Sequence, residues 1–471
     1  MTSSSISSDI DPASANLMSD IPVRAGNPGK RNRIWYLCGS LTIVVLTLTS
    51  LAKVTVTQTW RLSNDFFATQ TDFPIFYAAS KVALSGRKVS LYFLPRDRSG
   101  RETSPTSGGF LPQTEQARPA AHLFTETGFV TPPFSSFVTV PIAFMALKKA
   151  YLAWQLIIVG VTALSIYFAL RISSPQPAPE LFPVLLFAAL YLYAPFHEEA
   201  YLGNINSLSL LSWVLGVYFL AQRRQTVSAL CFAVGTMLKV FPAVAVLLMA
   251  LRRQWKWTIA YAAWCASLLA LSVWRLGWDN HATWLSAVYP ALSCGLSDHF
   301  NRSLPGLILV AAPQCLHSPC HISGWVCTFN KTLSVALLCL FLGWCWKKGK
   351  GSEGLVHELC VLPMVCLLIS PLSWQAHFIV AALPLTYLWI RCRKSGLRGA
   401  KVDVVLLMLA TLTFGTVVPE ATLLSSRHTH LSAVALVALW VAATVMTIWV
   451  GLRTYDLGPD ALETAPMGGP H

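Results

Sequence analysis

An all-α polytopic membrane protein with about twelve crossings is the fold class this sequence predicts, and three observations carry the prediction. Hydrophobic residues fill 54% of the 471 positions and charged residues only 12%, more apolar surface than a soluble core needs. The apolar residues fall in long uncharged runs, with Lys and Arg collected in the short breaks between them. Several of the 17 Trp stand at the ends of runs (Trp35, Trp60, Trp154, Trp255, Trp257), where an aromatic belt sits. The net charge of +14 would point to nucleic acid in a soluble chain. Here its placement fits anionic lipid headgroups and cytoplasmic loops, so membrane lipids are the expected partner and nucleic acid is not.

Residues 1–32, rich in Ser, Asp, Pro and Asn, read as a disordered cytoplasmic tail ending in Arg24, Lys30, Arg31 and Arg33. Ile34 to Ala52 is uncharged and long enough to cross, an uncleaved first span rather than a signal peptide. The transmembrane domain then runs over 33–453, with a second disordered cytoplasmic tail over 454–471.

Residues 56–149 form a first large loop on the far side. It holds the stretch Thr71 to Tyr92, TDFPIFYAASKVALSGRKVSLY, whose Phe73, Phe76, Tyr77, Ser80 and Leu84 fall at helical spacing. A helix with one apolar face beside a span is expected to lie in the membrane interface. Asp72 at its start is read equally as an N-cap or as a functional carboxylate. A hydrophilic insertion, Arg96 to Pro119, follows. The piece TPPFSSFVTVPIAFMAL at 131–147 begins with Pro132-Pro133 and contains Pro141, so it is expected to be a re-entrant or interfacial half-helix.

The later breaks carry the charge signal. Arg223-Arg224, Arg252-Arg253 with Lys256, Lys347-Lys348-Lys350, and Arg391, Arg393, Lys394, Arg398 and Lys401 are expected on the cytoplasmic side. Alternation between them gives spans at 150–171, 182–196, 205–221, 227–240, 242–251, 255–275, 328–346, 355–369, 376–391, 402–418 and 431–452. The second large far-side loop covers 276–326, and both termini are cytoplasmic. Lys148 and Lys149 fall on the wrong side of the charge rule.

This topology gathers unusual polar groups at one membrane face: Asp72; His197-Glu198-Glu199; Gly203-Asn204-Ile205-Asn206; Lys239; Asn301-Arg302-Ser303; and Ser373-Trp374 with His377. Charged groups at span ends are costly unless solvated or paired, which makes them functional candidates. Taken singly, each also has a plain structural explanation, such as a snorkelling Lys239 or a satisfied His377. Together they suggest a chemistry. An outward carboxylate takes a proton from an acceptor hydroxyl. Lys239 and Arg302 hold an anionic phosphate and stabilise it as a leaving group. Trp374 offers a flat face to a sugar ring or a lipid. There is no P-loop and no GxGxxG in a βαβ context.

The motifs in order resemble glycosyltransferase family 87, of the C-type superfamily of polyprenyl-phosphate-dependent glycosyltransferases. That family's pattern D-F-x-x-Y-x-A-A-x-x-x-L-x-G-x-x-L-Y is matched, with small spacing differences, by Asp72-Phe73, Tyr77-Ala78-Ala79, Leu84, Gly86 and Leu91-Tyr92. Y-P-P-F becomes Thr131-Pro132-Pro133-Phe134. G-Q-x-N becomes Gly203-Asn204-Ile205-Asn206, K-x-x-P is Lys239-Val240-Phe241-Pro242, and N-Q-S becomes Asn301-Arg302-Ser303. S-P-x-S-W-x-H-H reads Ser370 to His377 with Ala376 for the first His. The resemblance runs from about Asp72 to His377.

It implies a C-type glycosyltransferase fold and transfer of a mannose- or arabinofuranose-type sugar from a polyprenyl-phosphate donor to a glycolipid or polysaccharide acceptor. The transfer is extracytoplasmic, in a bacterial inner membrane, with inversion. It also implies Asp72 as the catalytic base. Lys239, Arg302 and His377 are the candidates for the donor phosphate, and Tyr77, Glu198, Asn204, Asn206 and Trp374 for sugar and acceptor. The departures at Asn204, Arg302 and Ala376 leave sugar and acceptor open. No cofactor is expected, and the pair Glu198-Glu199 leaves metal dependence open.

A secondary transporter is the main alternative, since many spans and intramembrane polar groups suit one, although no internal repeat is visible. A scaffolding membrane protein is weaker, having no need of Asp72, Lys239 and Arg302 on one face. In the second loop, Cys294, Cys315, Cys320 and Cys327 read as one or two disulfides, ahead of a zinc site with His317 and His321. Asn301-Arg302-Ser303 and Asn330-Lys331-Thr332 match glycosylation sequons.

Overall fold

The computed structural model describes residues 72–86, 88, 90–92, 129–174, 181–293, 301–311, 324–348, 352–394, 401–415 and 429–455. Helices are the only regular secondary structure among them. The expected first span Ile34–Ala52, the tail 1–32, the insertion Arg96–Pro119, residues 456–471, and Cys294, Cys315, His317, Cys320 and His321 lie outside the described residues.

The chain runs through α1 (Phe73–Ser85), two 3-10 turns (Pro133–Phe137 and Val140–Ile142), α2 (Leu147–Ser173), α3 (Leu181–Leu192), α4 (Ala194–Leu202), α5 (Asn206–Ala221) and α6 (Gln225–Leu238). A 3-10 turn (Phe241–Ala243) leads to α7 (Val244–Leu251) and α8 (Trp255–Leu276). Next come α9 (Trp278–Thr283), a π turn (Trp284–Val288), α10 (Tyr289–Leu292), α11 (Leu304–Ala311), α12 (Gly324–Lys348) and α13 (Ser352–Ile369). A 3-10 segment (Gln375–Ala381) precedes α14 (Ala382–Lys394), α15 (Lys401–Gly415) and α16 (Thr429–Thr454).

Four helical stretches are long and apolar enough to cross a membrane unaided: Leu147–Ser173, Trp255–Leu276, Trp325–Lys348 and Ala433–Thr454. Their apolar surface is not consumed by the protein. Only 17% of the apolar window in Trp255–Leu276 is buried inside the fold, which leaves the remainder to face lipid. The twelve crossings expected are not matched by twelve such helices among the described residues. α5, α6 and α7 have 16, 14 and 8 residues, or about 24, 21 and 12 Å at 1.5 Å per residue, against a hydrocarbon core of about 30 Å.

Two breaks in the expected spans come from proline. The run 182–196 stops at Leu192, because Pro195 near the start of α4 cannot continue a helical ladder through Tyr193. The proline-rich piece after Thr131 makes only 3-10 turns. Together they make a short apolar helix, Pro133–Ile142, below the length of a crossing.

α1 differs from expectation in its surroundings. Besides Phe73 and Phe76, its Ile75, Ala78, Ala79, Val82 and Ala83 are buried, and Leu84, assigned to the apolar face, is exposed. Exposure is confined to a narrow stripe of Tyr77, Lys81 and the last turn. Ser80 explains how a polar residue sits inside: its hydroxyl bonds the Ser136 carbonyl and Thr139 Oγ1. α1 is therefore packed into the protein over most of its surface and held by the 3-10 turns. Its C-terminus is closed by Arg275, whose Nε donates to the Ala83 carbonyl at 2.6 Å.

The core around α5, α6 and α8 is an aromatic ladder with every indole satisfied. Trp213 stands edge-on to Phe232 (5.3 Å) and stacks on Phe241 (5.5 Å). Phe232 meets Trp257 (5.5 Å), which stacks on Tyr261 (5.3 Å). Trp213 Nε1 donates to the Leu359 carbonyl, and Trp257 Nε1 to Ser228 Oγ, which donates on to the Gly216 carbonyl. Such bonds matter in a membrane protein because no water replaces them. Gly216 is required here: a Cβ would meet the Phe232 ring at 2.5 Å.

At the end of the bundle opposite the polar groups, Arg252 forms a buried ion pair with Glu358, donates from Nε at 3.1 Å, and also donates to the Cys345 carbonyl at 2.9 Å. Arg453 pairs with Asp403 at 3.4 Å, and His357 Nε2 bonds the Gly451 carbonyl at 2.8 Å. These contacts tie the turn after α7 to α12 and α13, and the last turns of α16 to α13 and α15. Cys327 is disulfide-bonded to a partner outside the described residues. The sequon residues Asn301 and Asn330 are both buried, so neither can accept a glycan in this fold.

Three stability outcomes are expected. Gly216→Val should destabilise the protein by about 1–3 kcal/mol through overpacking, read as a lower unfolding temperature in detergent. Gly160→Ala, whose Cβ meets nothing within 4 Å, should not lower it. Glu358→Ala, which strands the Arg252 charge, should cost about 3–5 kcal/mol in the same assay.

Candidate active site

The site is built where α1 begins, α4 ends and α6 ends. α4 terminates at Gly203 in a left-handed conformation (φ 65°), its N–H returning to the Glu199 carbonyl at 2.9 Å. Glycine is needed twice over. The positive φ strains any other residue, and a Cβ would meet Phe73 Cβ at 2.7 Å. Trp154 Nε1 donates to the Gly203 carbonyl (2.9 Å) and Tyr151 OH to the Tyr201 carbonyl (3.0 Å), fixing the turn to α2. The backbone N–H of Asp72 donates to the Leu202 carbonyl at 2.8 Å.

This closeness decides between the two roles of Asp72. The residue stands at the start of α1 but its side chain makes no capping bond. Its Oδ2 instead accepts from Asn204 Nδ2 at 2.6 Å, while Asn204 Oδ1 accepts from the Ile205 N–H at 2.7 Å. Asn204 is thus locked in one orientation, amide nitrogen towards the carboxylate. Asp72 remains partly exposed. Burial pushes its carboxyl above the ordinary range, against the lowering pull of the Asn204 bond and the Lys239 charge.

Lys239 caps the C-terminus of α6 and is partly exposed. Its ammonium interacts electrostatically with both Asp72 and Glu199. Its Nζ lies 3.1 Å from His377 Nε2. An ammonium has only hydrogens to offer, so Nε2 is the acceptor. The proton of a neutral His377 then sits on Nδ1, which donates to the Leu372 carbonyl at 3.2 Å. His377 lies in the 3-10 segment Gln375–Ala381, which packs on α4, and Tyr193 OH bonds the Phe378 carbonyl.

Of the acidic pair on α4, the structure brings in Glu199 rather than Glu198. Adjacent helix positions point about 100° apart, so one carboxylate faces inward. Glu199 is fully buried with Phe196 and Ala200. Its Oε2 accepts from Asn206 Nδ2 and its Oε1 from the Ser207 N–H, both at 2.8 Å. Burial lifts its carboxyl to about 7, opposed by those bonds and by Lys239. Glu198 is partly exposed, and His197 Nε2 lies 3.0 Å from the Tyr191 carbonyl. Sequence reasoning assigned Glu198; the run Phe196, Glu199, Ala200, Gly203 at helical spacing was the signal for its neighbour.

Asn204 and Asn206, expected to contact sugar or acceptor, each hold a carboxylate. Tyr77, expected in the same role, gives its hydroxyl to the Met145 carbonyl at 2.7 Å, tying α1 to the turn before α2.

Arg302, expected beside Lys239 at the donor phosphate, is 1% exposed, and its guanidinium lies over the Trp440 ring at 5.8 Å. Its motif braces the loop that carries Trp374 and His377. The Arg302 N–H donates to the Ser373 carbonyl at 2.7 Å. Asn301 Oδ1 accepts from the Ser373 N–H (3.0 Å) and Ser303 Oγ (2.8 Å), and Asn301 Nδ2 donates to the Pro371 carbonyl (2.8 Å). Trp374 stacks on His377, ring centres 6.1 Å apart and 19° between planes. Its Nε1 is buried without a hydrogen-bond partner.

The arrangement brings together a partly exposed carboxylate, a partly exposed ammonium and an indole stacked on His377, backed by a buried carboxylate. Among the described residues, no three His, Cys, Asp or Glu side chains group as a metal ion requires.

Comparison with known proteins then bears on what this site serves. No curated protein matches the chain. The family model of glycosyltransferase family 87 matches residues 129–371, a stretch that includes Glu199, Asn204, Lys239 and Arg302 but neither Asp72 nor His377. The matched region covers more than half of the 471 residues, and the chain accordingly belongs to glycosyltransferase family 87, as a multi-pass membrane glycosyltransferase.

Proposed function

We propose that the protein moves a mannose- or arabinofuranose-type sugar from a polyprenyl-phosphate donor to a glycolipid or polysaccharide acceptor, with inversion and with Asp72 as general base. The observation that carries this reading is the partly exposed Asp72 carboxylate, held at 2.6 Å by an orientation-locked Asn204 within the field of Lys239. A base must be accessible and aimed; Asp72 is partly exposed and oriented by Asn204, and burial raises its proton affinity above that of an ordinary carboxylate.

In the proposed step, the acceptor hydroxyl approaches Asp72 while the donor phosphate lies against Lys239, in place of His377 Nε2. The bond between the sugar C1 and the phosphate oxygen breaks, and its electron pair stays on the phosphate. The acceptor oxygen bonds C1 from the opposite face, and its proton passes to Asp72. Polyprenyl phosphate leaves with one negative charge more than its oxygens carried as a diester. A fixed ammonium favours that charge as it develops, and a single displacement through an oxocarbenium-like state needs no protein nucleophile. Trp374 presents its ring to the sugar or to the first isoprene units.

The reading has the site on the extracytoplasmic face of a bacterial inner membrane with both termini in the cytoplasm. The Arg and Lys turns at 223–224 and 252–253 and the last-turn Lys347 and Lys348 support this by the positive-inside rule. The disulfide at Cys327 supports it through its need for an oxidising compartment. Membership of a glycosyltransferase family sets the transporter reading aside.

With purified protein in nanodiscs, turnover of a panel of radiolabelled polyprenyl-phosphate sugars is the direct test. Asp72→Asn should lower kcat by about 10²–10⁴-fold with the unfolding temperature kept; ordinary turnover in that variant would remove Asp72 from the mechanism. In the parent protein, activity should fall as pH drops through the Asp72 pKa, above the ordinary Asp range because burial raises it. Lys239→Met should lower kcat by about 10²–10³-fold and raise the donor KM. A change in KM for the acceptor alone would contradict the phosphate role.

A further inference from the structure

Glu199 is a fully buried carboxylate that the proposed step does not use. Both its oxygens are engaged by neutral donors, Asn206 Nδ2 and the Ser207 N–H. It also shares the charge of Lys239 with Asp72. The elements packed on α4 include α3, α15 and the 3-10 segment Gln375–Ala381, and Tyr151 of α2 donates to the Tyr201 carbonyl. Their titratable or charged side chains are Tyr191 on α3, Lys401 and Asp403 on α15, and His377 on the 3-10 segment. Asp403 is paired with Arg453 at the opposite end of the bundle. The 3-10 segment therefore supplies only His377, which is neutral when it accepts from Lys239. On α4 itself, His197 lies by the Tyr191 carbonyl and Glu198 is partly exposed.

The charge count around Lys239 is therefore one cation against two carboxylates. The site carries a net charge of minus one before any donor arrives. A polyprenyl-phosphate sugar is a phosphodiester with one further negative charge and no proton of its own to give. Setting it beside Lys239 with both carboxylates ionised would leave two uncompensated charges, with one carboxylate, Glu199, wholly buried, which is strongly unfavourable. One carboxylate must become neutral. Asp72 cannot be the one if it is to act as base. It also keeps contact with the opening and holds a short bond from Asn204 that favours its ionised form. Glu199 has no exposure and no strong cation bond of its own.

Resting on the donor reading above, we infer that Glu199 is the charge-compensating residue of the donor site: it takes up one proton when the phosphodiester enters beside Lys239, and this keeps Asp72 ionised for catalysis. Glu199 is a positioning residue for charge and touches neither the sugar nor the reacting atoms. Its elevated proton affinity puts this exchange near neutral pH. The sign follows. Below the Glu199 pKa the proton is already present and binding is independent of pH. Above it each molecule bound must draw a proton from solution, and affinity falls about tenfold per pH unit.

The test is calorimetric titration of the full chain in nanodiscs with short-chain prenyl-phosphoryl mannose and prenyl-phosphoryl arabinofuranose. Both are diesters that stay monoanionic throughout. Buffers of different ionisation enthalpy at about pH 8 report the protons exchanged. The parent protein should take up close to one proton per molecule bound, and Glu199→Gln should take up none and bind with an affinity flat in pH. That substitution keeps the shape of the side chain, and Asn206 can turn its amide to meet it. Asn206→Asp serves as the second variant. A carboxylate set against Glu199 should move the proton uptake to higher pH, whereas a purely structural Glu199 would leave the proton count unchanged. Binding without uptake in the parent, or undiminished uptake in Glu199→Gln, would overturn the inference alone. Failure of both probes to bind the parent would overturn the donor reading and this inference with it.

Discussion

The close approach of Gly203 to Phe73 is the constraint on which the site depends. Where α4 ends, a left-handed glycine lets the backbone lie against the first residue of α1, at a distance that leaves no room for a Cβ. From that one contact follow the bond from the Asp72 N–H to the Leu202 carbonyl, the reach of Asn204 to the Asp72 carboxylate, and the inward turn of Glu199 one helical turn earlier. Two elements 132 residues apart in sequence are joined there. The glycine is itself held by indole and phenol bonds from α2, so the carboxylate rests on a rigid frame. Preorganised groups of this kind favour a transition state because they need not reorganise as charge moves.

The two ends of the bundle handle charge in different ways. At one end Arg252 is clasped by Glu358 and the Cys345 carbonyl, so that opposite charges neutralise one another and the cost of burial is met by bonds. At the other end Lys239 faces two carboxylates and a neutral histidine, an imbalance that a stabilising network would avoid. Unbalanced titratable groups of this kind, some of them partly exposed, mark a candidate functional site. The bracing of the Ser373–His377 loop by Asn301 belongs to the same design. It fixes Trp374 and His377 through backbone and amide bonds while leaving their rings at the opening.

Much of the architecture was legible in the chain. Span positions at 150–171, 205–221, 255–275, 328–346 and 431–452 correspond to helices within a few residues, because uncharged apolar runs ended by Arg and Lys leave the backbone little choice in a membrane. Proline explains where the pattern misleads. Pro195 cuts one expected span short, and Pro132, Pro133 and Pro141 keep the next-to-membrane piece in 3-10 turns. α1 is more buried than its pattern suggests, for another reason. Its sequence is amphipathic enough to suit an interface, and the Ser80 bonds that admit it to the core come from residues more than fifty positions away.

The sequence by itself determined that this is a helical membrane protein, which ends of its helices gather polar groups, and that Asp72, Lys239 and His377 belong at one face. Period, hydropathy and charge placement are local properties, and each residue carries its share of them. Only the tertiary structure decided which member of Glu198-Glu199 turns inward, that Asn204 and Asn206 serve carboxylates, that Arg302 lies on Trp440, and that Asp72 gives up capping for its bond to Asn204. Those outcomes depend on side-chain directions and on contacts between distant segments. A rotation of one residue on a helix, about 100°, reverses them without changing any pattern that can be read along the chain.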